Sequence, residues 1–152
     1  MLEFKQIYGL EGYKLARPLR EEVFMGEQGI SFDYDEYDDS SWHIVGYDGD
    51  VLIGAARMYK LTDQSWKIGR VAVKKEYRGG YIGDLMMKTL QDKIVTLGGI
   101  EAVVSSQAAV KGFYLKEGYI PEGEPYMEAG IEHILMKLDL TKPQKRCCTA
   151  AE

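Results

Sequence analysis

The sequence predicts a mixed α/β (α+β) domain. Its sheet has about seven strands, is twisted and mostly antiparallel, and carries one parallel strand–helix–strand crossover at its centre, with helices on the flanks. Three observations predict this. Apolar residues alternate in short runs as far as Val73, which is the period of half-buried strands. From Ile82 the period changes, and Ile82, Leu85, Met86, Leu90, Ile94 and Leu97 form the stripe of a helix with one buried face. A short apolar run, Ile100 to Ser105, then follows Gly98-Gly99, so the helix joins two strands and the pair must be parallel. The 152 residues suffice for one domain with a real core and are too few for two, and we place that domain at 1–140.

In chain order, FKQIY (Phe4 to Tyr8) alternates as a first strand. Glu11 to Met25 places Leu15, Leu19 and Val23 four apart, as a helix that is kinked at Pro18 or begins near it. Gly26 and Gly29 break that helix. Asp33, Asp35, Glu36, Asp38 and Asp39 then put five carboxylates within seven positions. This is no EF-hand loop, because Tyr37 and Asp38 stand where a ligand and a glycine are needed. It is either a solvated acidic loop or a negative rim that attracts a cationic amine.

Trp42 to Tyr47 and Val51 to Met58 alternate around Asp48-Gly49-Asp50, a hairpin signal, and a turn at Thr62-Asp63-Gln64 leads to Trp66 to Val73. Beyond the crossover, Gln107 to Glu117 reads as a second helix, stopped by Gly118, with Gln107, Lys111 and Tyr114 on one face. Glu124 to Glu128 and Ile131 to Leu140 close the domain as a hairpin around Ala129-Gly130. Residues 141–152 read as a flexible polar tail.

Composition excludes several classes. A net charge of −5 argues against a nucleic-acid binder. No apolar run approaches a membrane span, so no membrane partner is expected. The two cysteines, Cys147 and Cys148, are adjacent, which makes neither a disulfide framework nor a zinc site, so no metal is expected and a reducing cytoplasm fits. Ser105 and Ser106 have no neighbouring His and lie in no Gly-x-Ser-x-Gly, which sets serine nucleophiles aside.

The chemistry concentrates in VAVKKEYRGGYIGDLMM, where Val71, Ala72 and Val73 end a strand and Arg78-Gly79-Gly80-Tyr81-Ile82-Gly83 turns into the helix. No Ser, Thr, Asp or Asn caps that helix, so its first amides are open. Open amides, the helix dipole and Arg78 together suit a phosphate or pyrophosphate. The plainer alternative is a corner that merely needs glycines. Neither phosphate loop of known spacing fits: Gly83 is followed by Asp84 and Leu85 rather than Lys-Ser, and no Gly-x-Gly-x-x-Gly occurs.

This turn resembles the acetyl-CoA motif of the GNAT N-acetyltransferases, Arg/Gln-x-x-Gly-x-Gly/Ala, with Arg78 and Gly83 at its ends and Tyr81 where glycine is usual. The runs AAVKGFYLKEGYIPEG, VFMGEQ and GIEH extend the likeness over nearly the whole chain, and point to the ElaA-like subgroup. The resemblance implies acetyl-CoA as co-substrate. It would be held by Val71, Ala72, Val73, Arg78, Gly79, Gly80, Tyr81, Ile82, Gly83 and Asp84, with Gln107 and Lys111 beside it. It also implies that a backbone N–H near Val73 polarises the thioester carbonyl.

For proton transfer, Tyr114 is the candidate general acid for the CoA thiolate. Glu27 and His133 are the candidate bases, while His43 in a strand pattern reads as packing. The acceptor is then an amine of a small molecule or peptide. A non-catalytic acyl-CoA sensor on the same fold is the alternative, with Tyr81 in its favour. The C-terminal hairpin offers an edge for a homodimer.

Overall fold

A computed structural model describes residues 1–31 and 33–142. The tail, with Cys147 and Cys148, lies outside the described residues. Seven strands form one sheet in the order β1-β2-β3-β4-β5-β7-β6. They are β1 (Leu2–Tyr8), β2 (Trp42–Asp48), β3 (Val51–Lys60), β4 (Ser65–Val73), β5 (Glu101–Gln107), β6 (Ile120–Glu128) and β7 (Ile131–Asp139). Every pairing is antiparallel except β4 with β5, which run parallel because α2 (Ile82–Thr96) carries the chain back between them.

Helices cover both faces. On one, α2 lays Ile82, Met86, Met87, Leu90 and Ile94 on Ile44, Ile53, Met58, Ile68 and Val104. Leu97, expected in that stripe, sits past the helix end and is exposed, while Gln91 is buried and accepts a hydrogen bond from the Tyr119 hydroxyl at 2.8 Å. On the other face, α1 (Leu10–Arg20) buries Ala16 and Leu19 against Val45, Ala55 and Ala72. Gly12 lets it lie close: a Cβ there would meet the Ile7 carbonyl oxygen at 2.4 Å.

The first helix contains Pro18, as one of the two alternatives has it, and differs from expectation at Gly26 and Leu15. It begins at Leu10, so Pro18 is inside it, and just after the proline it widens into a π-helical turn, Glu21–Glu27. Proline removes one backbone donor and crowds the preceding turn, which is where helices depart from regularity. Gly26 is inside that turn and breaks nothing. Leu15 is exposed, and the buried stripe runs Gly12, Ala16, Leu19, Arg20 and Val23, with an arginine among its apolar members.

The segment 107–117 is also different. Gln107 ends β5, paired with His133 of β7; a 3-10 turn (Ala108–Val110) follows, and α3 is only Lys111–Lys116. Gln107 therefore does not share a helix face with Tyr114. β6 starts earlier than expected, at Ile120, and its register slips between Glu122 and Tyr126. Among the described residues no helix is long and apolar enough to cross a membrane.

Candidate active site between the splayed strands

β4 and β5 pair only from Ser65–Glu101 to Ile68–Val104. Beyond that they part, and the gap between Gly69–Val73 and Ser105–Gln107 is the candidate site. A bulge in β4 helps to open it. Ala55 faces Ala72 and Arg57 faces Gly69, so Arg70 and Val71 together oppose Ala56. Arg70 takes φ 50°, an unusual backbone state for a residue with a side chain.

The strand edge facing the gap can be identified from its partners. Lys74 N–H donates to the Ile53 carbonyl at 2.8 Å, toward β3. The Val73 carbonyl instead accepts Arg78 Nε at 2.8 Å, on the opposite edge. A strand residue's N–H and C=O share an edge and its neighbours use the other, so the amides of Val73 and Val71 face the gap. Ala72, expected with them, turns its backbone to β3 and its side chain into the core.

The gap runs into the glycine turn. Gly79 takes φ 85°, a left-handed state that glycine adopts without steric cost. Tyr81 takes φ −108°, open to any residue, and its ring is 63% exposed, so it does not fill the loop. No side chain caps α2. Ile82 is buried, which leaves only its amide for a ligand. The Asp84 carboxylate leans back to Lys88 at 3.6 Å, so this acidic residue also offers an amide rather than its charge. Gly80, Gly83 and the half-buried Lys111 complete the surroundings.

Two contacts tie the π-helical turn to both margins of the gap. Arg78 grips Glu27 through two bonds, Nη1 to Oε1 at 2.8 Å and Nη2 to Oε2 at 2.9 Å. Gln107 Nε2 donates to Gln28 Oε1 at 3.0 Å. The hydrogen bond from Arg78 holds the Glu27 carboxyl below its ordinary range, and Glu27 does not line the cleft described next. Both facts argue against Glu27 as the base. Glu27→Gln is expected to leave the pH dependence of kcat unchanged and to tighten acyl-CoA binding by at most about fivefold, since an exposed ion pair is typically worth ~0.2–1 kcal/mol. A pH–rate profile and a titration check both.

Above the gap lies a cleft of about 450 Å³. Phe24, Gln28 and Ile30, β4 from Lys67 to Val71, Tyr114 and His133 are among the residues that line it. Tyr114 stands edge-on to Phe113 and Tyr119, centroids 5.0 and 5.7 Å away. Burial, with a smaller contribution from the Glu117 charge, pushes its phenol up to about 12, so it keeps its proton at any working pH. Behind it, burial and a hydrogen bond to Asp84 push Glu117 up to about 7, against the pull of Lys88 at 2.9 Å.

His133 sits within 2.7 Å of the Ile131 carbonyl through Nδ1. A carbonyl only accepts, so Nδ1 carries a proton, and in the neutral ring Nε2 holds the lone pair. Its ring stacks on Tyr126, whose hydroxyl touches Ser105 Oγ. His43 is remote and buried, with Nε2 on the Asp38 carbonyl at 2.9 Å, and burial lowers its pKa.

Three arginines that the sequence reading did not single out organise the cleft wall. Arg20 binds Asp33 and Asp38 at 2.8 and 2.7 Å, Arg57 binds Asp35 at 2.5 Å, and Arg70 reaches Asp33 and Asp35. Three of the five clustered carboxylates are thus spent inside the protein. The loop is neither simply solvated nor a free negative rim. The available signals were Arg20 on the buried stripe of α1 and Arg57 inside an otherwise apolar strand.

Comparison with known proteins was made on this basis. The family model described as an acetyltransferase (GNAT) domain matches residues 22–140. The chain is 34% identical to the uncharacterized N-acetyltransferase YjcF of Bacillus subtilis, over 85% of this chain and 94% of that one. It is 36% identical to the protein ElaA of Escherichia coli, over 89% of this chain and 88% of that one. The ElaA crystal structure superposes with a TM-score of 0.78 at 28% identity, covering 90% of this chain and 99% of ElaA. An acyl-CoA N-acyltransferase structure from Pseudomonas aeruginosa gives 0.77 at 26% identity, covering 90% and 99%.

Proposed function

We propose that this chain, which belongs to the GNAT acetyltransferase family and is ElaA-like within it, transfers the acetyl group of acetyl-CoA to a primary amine of a small molecule or peptide. Membership makes it an acyltransferase; the acyl donor and the amine acceptor are our reading. The observation that carries it is one continuous path. An uncapped helix start at Arg78–Gly83 leads along the free edge of β4 into a cleft that holds Tyr114 and His133.

In this reading the amides of Gly83 and Asp84, the helix dipole and Arg78 take the pyrophosphate. The pantetheine arm lies along the Val71 and Val73 edge, where an amide polarises the thioester carbonyl. The amine nitrogen attacks that carbon directly, in a ternary complex. The new C–N bond forms as the C–S bond breaks, the amine proton leaves through His133 Nε2 or water, and Tyr114 protonates the departing thiolate. Much of the rate comes from holding the two reactants at attacking distance.

A non-catalytic sensor on the same fold loses its support, since Tyr81 neither needs a glycine conformation nor blocks the turn. A cytoplasmic site, where thiols stay reduced, suits Cys147 and Cys148. β6 lies at the sheet edge, and we propose it as the place where a second copy would pair.

The test is calorimetric titration with acetyl-CoA. Arg78→Ala is expected to weaken binding ten- to a hundredfold, because hydrogen bonds to a charged group contribute roughly 1.5–3 kcal/mol. No binding to the folded wild type would sink the reading.

A further inference from the structure

On the β4 side of the cleft one sign of charge is left without a partner, and the hydrogen bonds show which. Every aspartate beside it is saturated. Asp35 Oδ1 accepts Arg57 Nη1 and the Tyr37 amide, and Oδ2 accepts Arg57 Nη2 and Arg70 Nη2. Asp38 takes two bonds from Arg20 and one from the Asp35 amide, with Arg57 Nη1 2.9 Å away. Asp33 takes Arg20 through Nε and Nη2, and Arg70 Nε lies 2.8 Å from its Oδ1. A carboxylate has about four acceptor sites, so these three have little left for a substrate ammonium.

The cations are not saturated. Arg70 commits Nε and Nη2, while its Nη1 makes no hydrogen bond among the described residues. Lys67, two strand positions from Gly69 on the same wall, has no ion pair or hydrogen bond among the described residues. Both line the cleft. Arg20, Arg57 and Arg70 balance Asp33, Asp35 and Asp38, so the Lys67 charge is uncompensated on that wall. The bulge that puts Arg70 at φ 50° turns this arginine toward the aspartates and the cleft together. On the other side, Glu128 is an exposed carboxylate without an ion pair among the described residues.

We infer that the acceptor is an amino-carboxylate, a molecule carrying both a primary amine and a carboxylate, whose carboxylate is bound by Lys67 Nζ and Arg70 Nη1. A polycation would meet an uncompensated positive wall. A carboxylate oxygen instead accepts from the free Nη1 of Arg70, with Lys67 as the balancing point charge. The amine of the same molecule then faces Tyr114 and His133 across the cleft. This inference rests on the acyl-transfer reading above.

The experiment measures CoA release at fixed acetyl-CoA with matched acceptors: amino acids, their carboxamides and the corresponding decarboxylated amines. The free acids are expected to exceed their carboxamides in kcat/KM by roughly tenfold or more, as charge-assisted binding predicts. Lys67→Met should lower that ratio severalfold, mainly through KM, with Arg70 Nη1 keeping the remainder, and Lys67→Arg should restore it. Lys67 packs no core, so both variants are expected to fold, with circular dichroism as the control. Carboxamides or simple amines used as well as the acids would overturn the carboxylate site while acyl transfer stands. A ratio unchanged by Lys67→Met overturns it equally. No amine used at all, despite acetyl-CoA binding, ends the acyl-transfer reading and this inference with it.

Discussion

Arg20→Met is expected to destabilise the fold by about 3 kcal/mol, toward the lower end of what a broken buried ion pair costs. For a chain of this size that is a fall in Tm of roughly 10 °C. Arg20 is 1% exposed, and its two aspartates are 6% and 0% exposed. Removing it leaves Asp33 and Asp38 buried with fewer donors, although Arg70 still reaches the first and Arg57 the second. That residual pairing sets the estimate at the lower end. Methionine keeps the aliphatic volume, so the loss measured is that of the charge and its hydrogen bonds. Urea unfolding at pH 7 reads it directly, and equal midpoints for variant and wild type would mean that the network contributes nothing.

The same network fixes a pH signature. Burial alone would raise Asp35 and Asp38, but hydrogen bonds and charge from Arg57 and Arg20 outweigh it and hold both below the ordinary carboxylate range. A depressed folded pKa contributes stability that is fully present above the unfolded value of about 3.9 and is lost as pH falls through the folded one. The wild type should therefore lose stability below about pH 4. The gap to Arg20→Met should narrow there, because protonated aspartates no longer need the arginine.

How much of this the sequence disclosed depends on the range of each interaction. The strand pairs β2–β3 and β6–β7 were legible because alternation and a turn such as Asp48-Gly49-Asp50 are local. The glycine turn was legible because a helix without a cap is visible in a few residues. Gln107 was misjudged because helix and strand patterns agree there, and its pairing with His133, far along the chain, decides. The partner of Glu27 is hidden for a similar reason: the arginine that pairs with it lies 51 positions away. The acidic loop shows the limit most clearly. Five carboxylates within seven positions leave a solvated loop and a negative rim both open until three arginines, from α1, β3 and the β4 bulge, are folded against three of them. A charged residue on an apolar stripe is the local trace of such a network, and Arg20 carried it.

Tyr114→Phe is expected to lower kcat about a hundredfold, within the range of general acid catalysis, and to leave acetyl-CoA affinity almost unchanged. The ring contacts with Phe113 and Tyr119 remain in the variant, so the fold is preserved and only the hydroxyl is lost. The burial that lifts this phenol to about 12 has two consequences with opposite sign. The proton is always present, so no alkaline limb in the pH–rate profile below about pH 11 belongs to Tyr114. Yet a phenol so weak gives up its proton to an ordinary thiolate, whose thiol titrates near ~8.5, only uphill. The assignment therefore requires the departing thiolate to be desolvated in the same cleft, since burial raises the proton affinity of a thiolate as it does that of a phenolate. In Tyr114→Phe the thiolate must leave unprotonated or wait for water, which slows turnover and not binding. Full turnover in the variant across pH would remove Tyr114 from the proton path. A rise in KM with kcat intact would make its hydroxyl a binding contact of the cleft, because only a group acting in the transition state lowers kcat.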